Sequence, residues 1–81
     1  MSDLHSEILL LLCKGWDQGN SNTDTLTKRL LEADPERDYN QTKANVVQTL
    51  RELQERGEIQ IMTMNWELGE EFFYVCTNRI D

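Results

Sequence analysis

The sequence predicts an α+β fold, a three-helix bundle followed by a two-stranded antiparallel β-hairpin. Three observations lead there. The chain has 81 residues, enough for one domain with one core, spanning residues 1–81. Asn40 to Gly57 reads as one amphipathic helix, with Val46, Val47, Leu50 and Leu53 at helical spacing on one side. Directly after Gly57, Glu58-Ile59-Gln60-Ile61 switches to the alternation of a strand. The 38% hydrophobic and 28% charged residues, with four Gly and one Pro, are those of a folded chain and exclude a disordered or collagenous one.

The first helix is capped by Ser2 or Asp3, and Glu7 suits its positive N-terminal end. Leu4, Ile8, Leu11 and Leu12 form its core stripe. Leu9 and Leu10 widen the apolar face beyond that stripe, either as a broadly buried helix or as one that also meets another subunit. His5 reads as a surface residue. Lys14 to Asn22 closes the helix and turns, with Trp16 anchoring it to the core and Gly19-Asn20-Ser21-Asn22 as a turn cluster. Asn22 or Thr23 caps a second helix running through Leu31. Its buried side is Leu26, Leu30 and Leu31, and Lys28 and Arg29 lie outside. Asp34-Pro35 stops it, and Tyr39 staples the next helix to the core. The third helix is expected from about Gln41 to Arg56, with Asn40 as N-cap.

Ile59 to Trp66 and Phe72 to Asn78 are the expected strands, joined by Glu67-Leu68-Gly69-Glu70, with Gly69 supplying a positive φ. Symmetric pairing about that loop sets Ile61 near Cys76 and Thr63 near Tyr74 on the face toward the helices. Met62, Met64, Phe73 and Val75 then share the other face, with Trp66 near the tip. A half-exposed hairpin alternates apolar with polar; this one is apolar on both faces.

The net charge is −7 and the sequence pI about 4.5, a balance that opposes nucleic acid at long range. Its distribution is uneven. Residues 28–56 set six bases (Lys28, Arg29, Arg37, Lys43, Arg51, Arg56) against six acids, while both ends are acidic. Cys13 and Cys76 lie far apart in apolar segments. They read as buried free thiols in a reducing, cytoplasmic compartment, with a single disulfide as the other possibility. The N-terminus lacks the basic region of a signal peptide, and Ile8 to Leu12 is too short to span a membrane. One His, no Gly-rich phosphate loop, no nucleophile elbow and no paired Cys/His ligands leave no basis for an enzyme, a metal or a cofactor.

The order helix, helix, helix, hairpin resembles the winged helix-turn-helix superfamily over almost the whole chain. Leu50-x-x-Leu53-x-x-x-Gly57-x-Ile59 resembles the end of that family's recognition helix. Phe73-Tyr74-Val75-Cys76-Thr77 resembles the last wing strand of PadR-like and MarR-like regulators, with Cys76 where Leu is usual. Leu26-Thr27-Lys28-Arg29-Leu30 resembles the second helix, with Thr27 for a small Ala. The wing departs from the pattern, because it carries Glu67, Glu70 and Glu71 and no base.

The resemblance implies a homodimeric, sequence-specific regulator of transcription that binds double-stranded DNA. Gln and Asn pair bidentately with adenine, and Thr contacts base edges or a thymine methyl. Gln41, Thr42, Asn45, Gln48 and Thr49 are the expected reading residues, with Lys43 reaching a base or phosphate and Lys28, Arg29 and Arg37 fixing register on phosphates. Solvated helix faces favour Glu and Lys, the better helix formers; this face begins with amides and Thr and turns to Glu52 and Glu55 only later. The rival expectation is an acidic protein–protein interaction module. In either case Leu9, Leu10, Met62, Met64, Trp66, Phe73 and Val75 are expected at an interface, with a second copy or a different protein.

Overall fold

The computed structural model describes residues 3–77. The chain runs α1 (Leu4–Cys13), β1 (Gln18–Ser21), α2 (Thr23–Ala33), α3 (Tyr39–Glu55), β2 (Ile59–Ile61), a 3-10 turn (Trp66–Leu68) and β3 (Phe72–Cys76). The expected three helices and hairpin are present, and a third strand joins them. The antiparallel sheet has the order β1-β3-β2, so β3 is its centre.

Each helix begins on a side-chain cap. Asp3 accepts from the His5 backbone N–H at 3.2 Å and Asn22 from that of Thr25 at 2.7 Å. Asp38 accepts from the Gln41 backbone N–H at 2.8 Å. The third cap is therefore Asp38, and Asn40 lies inside the helix. A carboxylate at this position satisfies a free N–H and also meets the positive end of the helix dipole. α3 ends at Glu55, and Gly57 just beyond its Arg56 cap has a φ of 76°, the left-handed conformation glycine adopts without strain.

Ile8, Leu12, Leu26, Leu30, Val46, Leu50 and Leu53 meet between the helices, and Ile59, Phe72 and Tyr74 close the core from the sheet. Leu31 is only half-buried, at the margin of that core. Trp16 is 58% exposed and does not anchor α1. The anchor is the Cys13–Cys76 disulfide, which links the end of α1 to the central strand across 63 positions of sequence. The free-thiol expectation is thereby corrected: apolar surroundings hid the pairing, because proximity of two distant cysteines is a property of the fold alone. Beside the disulfide, the buried Tyr74 hydroxyl donates to the Leu12 carbonyl at 2.7 Å.

Gly19-Asn20-Ser21 is not a turn. It pairs with β3 through Gly19↔Tyr74 and Asn20↔Phe73. Gly19 fits because a Cβ there would lie 3.0 Å from the Tyr74 hydroxyl oxygen. In the hairpin the observed pairs are Ile59↔Cys76 and Ile61↔Tyr74, two residues from the expected register. The strands are shorter than expected because the Thr63 hydroxyl takes the Phe73 N–H at 3.0 Å and Trp66 folds back as a 3-10 turn. Its ring packs edge-on to Phe72 with centroids 6.0 Å apart. A shift of two keeps the side chains of the paired residues on their expected faces. The expected strand end at Asn78 lies outside the described residues, as does the alternative cap Ser2.

Candidate nucleic-acid interface

α3 buries Thr42, Val46, Thr49, Leu50 and Leu53 on one side. At 100° per residue, Asn40, Ala44, Gln48, Arg51 and Glu55 lie opposite, with Gln41 beside them. All of these are exposed. The polar row Gln41, Asn45, Gln48 therefore stands in solvent, as expected. The Gln41 side-chain amide donates to the Asn45 Oδ1 at 3.3 Å, and that of Gln48 donates to Glu52 at 3.1 Å. These contacts at i, i+4 hold the amides extended along the helix without covering them.

Thr42 and Thr49 are not on this surface. They are 5% and 4% exposed, and both enter the core beside Val46. Thr is small enough, and has enough methyl character, to substitute for Val in a helix interior; polarity alone misassigned it. Lys43 is also committed within the fold. Its ammonium lies 3.1 Å from Asp24 on α2, and the Tyr39 hydroxyl donates to the same carboxylate. Tyr39 is thus part of a polar α2–α3 contact, not a hydrophobic staple. The Tyr39 hydrogen bond, then that of Lys43, lowers the Asp24 pKa, and Asp24 in turn raises those of Lys43 and Tyr39.

Lys28 and Arg29 are both exposed on α2, yet they diverge. Asp24, one turn before Lys28, touches α3, so Lys28 lies toward that helix. Arg29 is a further 100° round and lines a cleft against β1. Among the described residues, Lys14, Lys28 and Arg29 make no ion pair, whereas Arg37, Lys43, Arg51 and Arg56 each do. Arg51, on the outward line of α3, reaches Glu67 of the hairpin loop at 3.6 Å. The acidic loop is therefore held against the far half of α3.

His5, expected at the surface, has two side-chain partners. Its ring nitrogens lie 3.0 Å from Asp3 and 2.6 Å from Glu52, clamping the start of α1 to α3. The Asp3 hydrogen bond, then that of Glu52, raises its pKa. No sequence spacing announces a pair 47 positions apart.

The expected interface residues divide. Leu10, Met62, Met64 and Phe73 are exposed, Met64 by 82%. Leu9 and Val75 are half-buried, and Leu9 packs against the core. Trp66 is 6% exposed and belongs to the core, so it is not available to a partner. Leu68, two residues later, is the exposed apolar residue of the loop. β1 also changes the outer sheet face. Gln18 is paired with Val75 and Asn20 with Phe73, so polar side chains flank the apolar strand that a bare hairpin would leave open.

No family model, curated protein or solved structure matches the chain. Among the described residues, no helix is long and apolar enough to cross a membrane.

Proposed function

We propose that the domain is a winged-helix, sequence-specific DNA-binding regulator that reads the major groove with the first half of α3. One observation carries the reading. Gln41, Asn45 and Gln48 form an exposed amide row on a helix whose opposite side is buried. Amides at that spacing suit adenine edges. Ala44 lies on the same outward side and adds little bulk, so the helix backbone can approach a groove. Lys28, exposed on the neighbouring helix, supplies a phosphate contact. The reading set is thus Gln41, Asn45 and Gln48 with Lys28; Thr42 and Thr49 leave it because they are buried, Lys43 because Asp24 holds it, and Arg29 because it lines the cleft beside β1.

The acidic loop makes no contribution to affinity in this account. Lys28 is the base beside α3 that makes no ion pair among the described residues, so binding depends weakly on salt, since each neutralised phosphate contributes a slope of about −0.9. The test is enrichment from a random duplex pool near ~50 mM salt. A consensus rich in A·T pairs is expected. Gln41→Ala or Asn45→Ala then relaxes preference by ~1–3 kcal/mol at single positions, and Lys28→Ala weakens all duplexes alike. Failure to enrich any sequence would reject the proposal.

A second reading, a protein–protein interaction module, is favoured by the exposed Met62, Met64, Leu68 and Phe73. In the DNA-binding reading the same surface joins two copies, which present paired α3 helices to a pseudo-palindromic site.

A further inference from the structure

Among the described residues β1 is an edge strand, and its unpaired side has a defined pattern. The Cys76 N–H donates to the Asp17 carbonyl at 2.7 Å. Bonded positions alternate along an antiparallel pair, so Gly19 and Ser21 also face β3. The Phe73 carbonyl supports the same phase, because it accepts from Met62 on the β2 side at 2.8 Å. The backbone N–H and C=O groups of Gln18 and Asn20 consequently point away from the sheet. Only another extended backbone matches such a repeat of donors and acceptors.

A cleft of about 520 Å³ runs along this edge, and all four residues of β1 line it. Leu11, Trp16, Leu26, Arg29 and Tyr74 line it as well. Trp16 presents a largely exposed ring. The Arg29 guanidinium, which lines the cleft, makes no ion pair among the described residues. On a chain of net charge −7, a cation at this partly apolar cleft is the local exception. Among the described residues, the site therefore offers three things: an unpaired strand edge, a partly apolar cleft and a cation with no ion pair.

We propose that this cleft is a docking site for an extended acidic peptide segment of a partner protein, which adds to the β1 edge as a further strand. Its backbone pairs with Gln18 and Asn20. An apolar side chain enters between Trp16 and Leu26, and a carboxylate meets Arg29 in a charge-assisted hydrogen bond. The site is independent of the α3 surface, because Arg29 and Lys28 point to different sides of α2. It goes beyond the DNA-binding reading and does not require it.

The experiment is selection of a displayed random-heptapeptide library on the immobilised full chain, followed by synthesis of the most enriched peptide. Acidic residues alternating with apolar ones are expected in that peptide. On binding it, the amide exchange of Gln18 and Asn20 slows by at least ~10-fold, while Gly19 and Ser21, already paired with β3, change little. Arg29→Gln and Trp16→Ala, both exposed substitutions that leave the fold intact, each weaken binding ~10-fold. Arg29→Gln leaves duplex binding unchanged, which separates this result from the DNA reading. Recovery of no peptide above background overturns the proposal, as does equal affinity for Arg29→Gln. Protection of Gln18 and Asn20 in a peptide-free, concentration-dependent dimer also overturns it, since the edge is then occupied by a second copy.

Discussion

Reducing the Cys13–Cys76 disulfide is expected to lower the unfolding free energy by about 4 kcal/mol. The bond spans 63 positions, and the loop-closure relation for a ring of that size gives a loss of roughly 14–15 cal/mol/K from the unfolded chain, or about 4 kcal/mol at 25 °C. Domains of this length carry roughly 4–12 kcal/mol in total, so one bond represents a third or more of the stability. The structure adds a local reason. The bond joins the last turn of α1 to the central strand, beside the buried Tyr74–Leu12 hydrogen bond. The assay is urea unfolding with and without a phosphine reductant, alongside the Cys13→Ala/Cys76→Ala double variant. Reduction should lower the melting temperature by about 15–30 °C, at the ~4–8 °C per kcal/mol usual for small domains. Coincident unfolding curves would refute the reasoning, as would two thiols titrating in the untreated native chain.

Four further outcomes follow from the same contacts. Asp3, then Glu52, raises the His5 pKa, so this clamp is fully present below the ordinary value of 6.5 and is lost as pH rises through the elevated folded value. The His5 hydrogen bond lowers the Asp3 pKa, and the Gln48 hydrogen bond, then that of His5, lowers the Glu52 pKa, so their contribution is lost as pH falls into the acid range. Arg56, the neighbouring cation, opposes the His5 shift; thermal melts from pH 4 to 9 should therefore show a weakly acidic maximum whose alkaline limb flattens in His5→Gln. Among the described residues, Thr23 Oγ1 is the buried side-chain polar atom without a hydrogen bond, so Thr23→Val should leave stability unchanged or raise it by up to ~1 kcal/mol in urea unfolding. Leu50→Ala, at a fully buried position, should cost about 2–5 kcal/mol in the same assay. Tyr74→Phe strands the Leu12 carbonyl and should cost about 1–3 kcal/mol, seen as earlier loss of the α1 signal on heating.

Local signals made much of the fold legible. The Leu50/Leu53 stripe, the stop at Gly57 and the alternation from Ile59 marked α3 and β2, and parity kept Ile61 inside and Met62 outside even though the register moved by two. Contacts between distant segments were not legible. Gly19 and Asn20 have turn composition, yet pairing with β3 imposes a strand, and Gly19 is needed there because Tyr74 lies against it. Trp16 and Trp66 exchanged their expected roles, because the hairpin loop folds Trp66 inward and the α1 end leaves Trp16 outside. The same limit applied to the candidate site. Gln41, Asn45 and Gln48 are exposed as their polarity suggests, whereas Thr42 and Thr49 lie at core positions of the helical period. That burial was available from the spacing with Val46 and Leu53, but polarity outweighed it. The commitment of Lys43 to Asp24, and of Arg29 to the β1 cleft, depends on how α2 packs and has no sequence signature.

The most direct test of DNA reading by α3 is an isotope-edited NMR titration of the full chain with the random duplex pool near ~50 mM salt. The account predicts shifts concentrated in the side-chain amides of Gln41, Asn45 and Gln48 and the backbone of Ala44, with Thr42 and Thr49 following only as their helix responds. Shifts confined to Met62, Phe73 and the sheet, or none at that salt concentration, would contradict it.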